Sequence, residues 1–175
     1  YNIIIGSSNS ILTIFMSGTR AAVGSLVAEN DKVKIKKVFW ELMSLNHYIG
    51  GLLVMSLYYG VNPVISLWLG ERYVMEPYIV FLLLANVFIS KMRVPMDDFI
   101  NAHGLFHDTW APITEGILNL VLSIVLAIHF GVAGVLIGTL VSVSLIALGW
   151  KPYFLYTKGF KEPVFDYWKG FVILI

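Results

Sequence analysis

Apolar blocks alternate along this chain with short stretches that hold nearly all of its charge. From Gly116 to Trp150 there are 35 residues without an Asp, Glu, Lys or Arg. A helix needs about 20 apolar residues to cover a hydrocarbon core roughly 30 Å thick. The stretch from Trp110 to Trp150 therefore nearly fills two crossings, and the pattern predicts a helical hairpin turning near His129, Phe130 and Gly131. The spacing of charge, Gly and Pro marks four more blocks. The first runs from about Ile3 to Leu26, interrupted late by Ser17-Gly18-Thr19-Arg20. The second runs from Leu42 to about Leu69, with Asn62-Pro63 as a kink or stop. The third starts at Pro77, stays charge-free to Ser90, then carries Lys91, Arg93, Asp97 and Asp98 before a turn at His103-Gly104. The last, Trp168 to Ile175, has room for about two helical turns. The expected fold class is an all-α, polytopic transmembrane helix bundle of about five complete helices plus the start of a sixth, with residues 1–175 forming a single lobe.

Composition agrees with that pattern. The chain is 58% hydrophobic and 13% charged, with a mean hydropathy of +0.79, whereas soluble domains carry about 25% charged residues. A soluble core can hide one such apolar run, but not a series of them. Cysteine is absent, which excludes disulfides and thiolate metal sites. The chain opens on Tyr1-Asn2-Ile3 inside an apolar stretch, with no charged leader region, and stops inside an apolar block. It is therefore expected to be a piece of a longer chain.

Charge also predicts orientation, because cytoplasmic loops collect Lys and Arg. If the first block ends inside, the inner segments hold Arg20, Lys32, Lys34, Lys36, Lys37, Lys91, Arg93, Lys151, Lys158, Lys161 and Lys169, against Arg72 alone outside. Trp68, Tyr73 and Tyr78 flank the outer turn, and Trp40, Trp110, Trp150, Tyr153, Tyr156 and Trp168 lie near the inner surface. These rings are expected to be interfacial anchors. The stretch from Glu29 to Trp40 opens with helix-capping types and mixes lysines with apolar residues, so it suits the membrane surface, where each lysine attracts anionic lipid by about 1 kcal/mol. Gly134, Gly138 and Ser142 recur every four residues, a stripe that lets another helix approach closely.

Candidate chemistry gathers in the inner halves of the third and fourth blocks, because charge inside a bilayer is costly and usually functional. At about 1.5 Å per residue, Arg93 lies roughly 12 Å deep, Asp97 about 6 Å, Glu115 about 7 Å and Asn119 about 13 Å. Arg93 and Asp97 share one helix face, as do Glu115, Asn119 and Ser123 on the next helix. Pro95 loosens the helix between the two charges. The functional reading is an inward-facing polar cavity in which Arg93 and Lys91 attract an anionic head group. Under the structural reading, Lys91 and Arg93 snorkel to the interface while Arg93, Asp97 and Glu115 neutralise one another. Arg20 is placed at the inner end of the first helix.

Enzyme-like features are thin. Asp97-Asp98 resembles the acidic pair that holds magnesium for a diphosphate in membrane transferases, but no second acidic cluster accompanies it. His103, His107 and Asp108 have metal-like spacing only on a helix, and Gly104 argues for a loop. There is no phosphate-gripping Gly-rich loop. No cofactor, metal or nucleic-acid partner is expected.

Five stretches carry a family resemblance: Ala22-Val23-Gly24-Ser25-Leu26-Val27-Ala28-Glu29-Asn30-Asp31, Leu67-Trp68-Leu69-Gly70-Glu71-Arg72-Tyr73, Asn101-Ala102-His103-Gly104-Leu105, Asn119-Leu120-Val121-Leu122-Ser123, and Phe130-Gly131-Val132-Ala133-Gly134-Val135-Leu136-Ile137-Gly138-Thr139. In order and spacing the chain resembles the lipid-linked oligosaccharide flippases of the polysaccharide exporter family, relatives of the multidrug exporters. The resemblance implies one half, the carboxyl-terminal one, of a two-lobed exporter in the bacterial inner membrane. It implies movement of a polyprenyl-diphosphate-linked sugar repeat unit to the outer leaflet for cell-surface polysaccharide such as O-antigen. H+ or Na+ would be the coupling ion, and the opposing half of the chain and membrane lipid the partners. The competing readings are a small-molecule antiporter of the same superfamily and a membrane-embedded polyprenyl-diphosphate transferase.

Overall fold

The computed structural model describes residues 1–174, apart from the side chains at positions 15–17, 173 and 174. It is 89% helical, with no strand among the described residues. Four helical runs are long and apolar enough to cross a membrane: Asn2–Ala28, Lys32–Leu69, Pro77–Ala102 and Trp110–Phe160. The first three are α1, α2 and α3. The fourth divides at Gly131 into α4 (110–130) and α5 (132–160), and α6 is Val164–Leu174.

The link between α1 and α2 is short because Asn30 takes a left-handed conformation (φ 58°) and Asp31 caps α2, accepting from the backbone N–H groups of Val33 and Lys34 at 3.1 Å each. The lysine-rich stretch is thus the start of α2, not a separate surface segment, and α2 begins ten residues before the expected Leu42. At 38 residues it is about 57 Å long, more than the full bilayer thickness of about 40–45 Å. Neither internal proline ends its helix: α2 continues past Pro63 to Leu69, and α3 past Pro95 to Ala102.

Packing shows that α1, α2 and α3 run in alternate directions. At one end, Tyr1 donates its hydroxyl hydrogen to Asn62 and accepts from the Met75 N–H at 2.8 Å, while Asn62 Nδ2 donates to the Met75 carbonyl at 3.2 Å. Ile5, Val61, Ile65, Val80 and Leu84 fill the core there. At the lysine-rich end, Val23 and Leu26 of α1 meet Ile35, Phe39 and Met43 of α2, Met96, Phe99 and Ile100 of α3, and Phe154, Leu155 and Tyr156 of α5. Phe39 is fully buried, with edge-on contacts to Trp40, Phe99, Tyr156 and Phe160.

The hairpin is present, and glycine makes it. Gly131 has φ 57° and ψ −133°, a conformation essentially closed to residues with a Cβ. The chain reverses there, so that Gly134 lies on the Leu126 carbonyl and Gly138 on Ser123. A Cβ at those two glycines would fall 2.1 Å and 2.7 Å from the facing backbone. The small-residue stripe is the surface on which α5 folds back against α4. Beyond it the helix does not stop at Trp150. It widens into π-type turns at Leu145–Trp150 and Leu155–Phe160, around the short α-helical Lys151–Phe154. Pro152 lacks the N–H that regular α-helical bonding needs, and π-type widening accommodates such a gap.

The outward face is the reverse of a soluble protein's. On α4, Ile113, Ile117, Leu120, Val121, Ile124, Val125 and Ile128 recur at helical spacing and are all exposed, while polar groups turn inward. That surface is compatible with a multi-pass membrane protein.

Candidate functional site

Five charged side chains from α3, α4, α5 and the α3–α4 loop form one ladder at the lysine-rich end. Arg93 donates to Asp97, one turn along α3, at 2.9 Å, and across to Glu115 of α4 at 2.6 Å. Asp97 also forms an ion pair with Lys151 of α5 at 2.9 Å, and Lys151 pairs with Asp108 at 2.7 Å. Asp108, buried in the loop, takes a further bond from Trp150 Nε1 at 2.5 Å. The order Glu115, Arg93, Asp97, Lys151, Asp108 alternates in sign throughout. Three carboxylates against two cations give the ladder a net charge of −1. Charges removed from water are tolerated only when paired in this way.

Arg93 reaches Glu115 although its Cα lies about one turn deeper. Its side chain runs back toward the helix end, so the guanidinium sits level with Asp97 instead of at the depth of its own backbone. The sequence reading set Arg93 level with Asn119. Asn119 and Ser123 instead face the hairpin seam: Ser123 Oγ donates to Asn119 Oδ1 at 2.9 Å, and Thr139 of α5 donates to the same oxygen at 3.4 Å. They tie α4 to α5.

Lys91 and Arg93 do not meet. Two residues apart on a helix is about 200°, and Lys91 points the other way, to α1, where Nζ donates to Thr13 Oγ1 at 3.1 Å and to the Asn9 carbonyl at 3.5 Å. It is buried and close to the middle of α3, and among the described residues no carboxylate lies within ion-pair distance. Asn9 Oδ1 on the adjoining helix and His47 Nδ1 on α2 are buried without hydrogen-bond partners. Arg20 remains largely exposed at the end of α1 but pairs at 2.7 Å with Asp98, whose side chain is only 3% exposed.

Asp97 and Asp98 therefore diverge, Asp97 toward Arg93 and Lys151 and Asp98 toward Arg20, which leaves no shared carboxylate pair for a divalent ion. Among the described residues, no group of three His, Cys, Asp or Glu side chains is placed to hold a metal. His103 Nδ1 is occupied by the Phe99 carbonyl at 2.8 Å.

Sequence reasoning missed Lys151 and Asp108. Lys151-Pro152 reads as a helix end, since a residue before proline disfavours helix. The available signal was the apolar run just beyond, in which Phe154, Leu155 and Tyr156 are buried. Comparison with protein-family models, curated proteins and solved structures finds no match for this chain.

Proposed function

We propose that this chain is one lobe of a membrane transporter that moves a lipid-linked, diphosphate-bearing oligosaccharide from the cytoplasmic to the outer leaflet by alternating access. In this reading α1 to α5 make five crossings, α6 begins a sixth segment, and the lysine-rich end faces the cytoplasm of a bacterial inner membrane. A second lobe of the same chain faces this one across the substrate path, and H+ or Na+ supplies the coupling. The chain catalyses no bond change.

The observation that carries the proposal is the sharing within the ladder. Arg93 is held by carboxylates on two helices, and Asp97 by cations on two helices. A diphosphate arriving at the inner mouth competes with Asp97 and Glu115 for Arg93, which weakens the tie between α3 and α4. Asp97 keeps Lys151 as it does so. Exchange of partners among buried charges is a two-state device of the kind that alternating access needs, because each arrangement leaves few charges unpaired. Family resemblance supplies the substrate class.

The test is accumulation of lipid-linked repeat units on the inner leaflet of cells carrying Arg93→Glu or Arg93→Lys. Arg93→Glu places three carboxylates together and is expected to slow transport by about tenfold or more, equal to at least about 1.4 kcal/mol. Arg93→Lys keeps the charge but loses the two-pronged geometry and is expected to fall between. Transport at the unsubstituted rate in Arg93→Glu, at normal membrane abundance, would sink the proposal.

A further inference from the structure

At the lysine-rich end, a cavity of about 300 Å³ opens between the α1–α2 link and the end of α5. Its walls include Lys32 and Lys36 of α2 and Lys158 and Lys161 at the end of α5, with Glu162 as the one carboxylate among the lining residues. Glu162 is taken by Lys36. Lys32, Lys158 and Lys161 have no carboxylate within ion-pair distance among the described residues, so three of the four lysines that line the space are uncompensated.

The backbone supplies an independent observation. Two non-glycine residues among those described have positive φ, Asn30 at 58° and Lys161 at 57°, and both line this cavity. Lys161 closes α5 in the left-handed position, with the N–H of Glu162 bonding back to the Tyr156 carbonyl at 2.9 Å. Glycine is the residue that fits such a cap without steric cost, and a side chain there is strained. The strain is placed where it brings a fourth lysine to the rim, a pattern typical of ligand clamps. A neighbouring groove shares Lys32, Lys36 and Glu162 and adds Lys37 together with Val33 and Trp40, whose side chains give it an apolar wall.

From this geometry we infer that the cavity is a binding site for the phosphate of an anionic phospholipid head group, with the lipid's glycerol and chains leaving along the Trp40 groove. The lysines supply N–H donors in number for phosphate oxygens. The site lies at the lysine-rich start of α2, a helix longer than the hydrocarbon core is thick, and lysines at such a helix end suit the level of the head groups. The inference does not depend on what, if anything, the lobe transports.

The experiment measures thermal unfolding of the purified protein in nanodiscs of phosphatidylcholine alone and of phosphatidylcholine with phosphatidylglycerol. Phosphatidylglycerol is expected to raise Tm, and the apparent lipid affinity from a titration to weaken about fivefold for each of Lys158→Gln and Lys161→Gly. Lys161→Gly also relieves the strained cap, so its Tm in phosphatidylcholine alone is expected not to fall. Lys34→Gln, on the same helix but outside both the cavity and the groove, is expected to keep the lipid response. Equal loss in Lys34→Gln would show a general surface charge effect and overturn the site. An equal Tm rise from millimolar inorganic phosphate in phosphatidylcholine would overturn the lipid assignment in favour of a soluble anion. No phosphatidylglycerol response in the unsubstituted protein would overturn both.

Discussion

Replacing Lys151 by Met tests whether the ladder is held by its charges or merely filled by side chains. Methionine keeps the unbranched stem and removes only the cation. The Lys151 and Asp108 side chains are 7% and 6% exposed, so solvent screens little of their interaction. Without Lys151, Asp108 keeps a single partner, the Trp150 N–H, and remains a buried, undercompensated charge. Breaking a buried pair this way costs about 3–5 kcal/mol. Asp97 contributes less, under about 1 kcal/mol, because it is 29% exposed and retains Arg93. Adding Asp108→Asn removes the stranded charge while leaving a group able to accept from Trp150. The double variant is therefore expected to recover most of the loss, ending about 1–2 kcal/mol below the parent. Unfolding by SDS titration in mixed micelles, followed by helix circular dichroism, measures the parent, the two single variants and the double variant. A double variant as unstable as the sum of the two single ones would refute the reasoning, since additivity is what independent sites show.

Gly138→Ala puts a methyl 2.7 Å from the Ser123 backbone nitrogen, and Gly134→Ala puts one 2.1 Å from the Leu126 carbonyl oxygen. Each is expected to cost about 1–3 kcal/mol or more in the same titration. Gly116→Ala on α4 meets nothing within 4 Å and is expected to gain up to about 1 kcal/mol. Equal effects at the three positions would contradict the close hairpin packing. Phe39→Ala empties the centre of the lysine-rich-end core and is expected to cost about 3–5 kcal/mol, through lost contacts and the cavity left behind.

Segment length and the period of apolar residues made the long helices legible, and Gly131 marked the hairpin because a charge-free run of that length must reverse. The Gly134-Gly138-Ser142 stripe was readable as a close-approach face for the same reason: only small residues at that spacing let backbones meet. Side-chain reach was not readable. Depth counted along Cα atoms set Arg93 beside Asn119, whereas a long flexible stem carries its charge about a turn away. Lys91 and Arg93 were grouped by depth, although their separation of two residues already put them on opposite faces of α3. Lys151 escaped because its neighbour Pro152 signals a helix end, and a π-type turn absorbs proline in a way that no local pattern announces. Asp108 escaped because its partners come from a helix more than forty residues further along.

Cysteine labelling bears most directly on the central claim, that the helices thread a bilayer in alternate directions with the charged ladder at the cytoplasmic end. The chain contains no cysteine, so a single introduced thiol reports unambiguously. Val33 at the start of α2 and Tyr73 beyond its end are both exposed, at 82% and 59%. In intact cells a membrane-impermeant maleimide is expected to modify Tyr73→Cys and to reach Val33→Cys only after the membrane is opened. Modification of both from the same side would contradict the account.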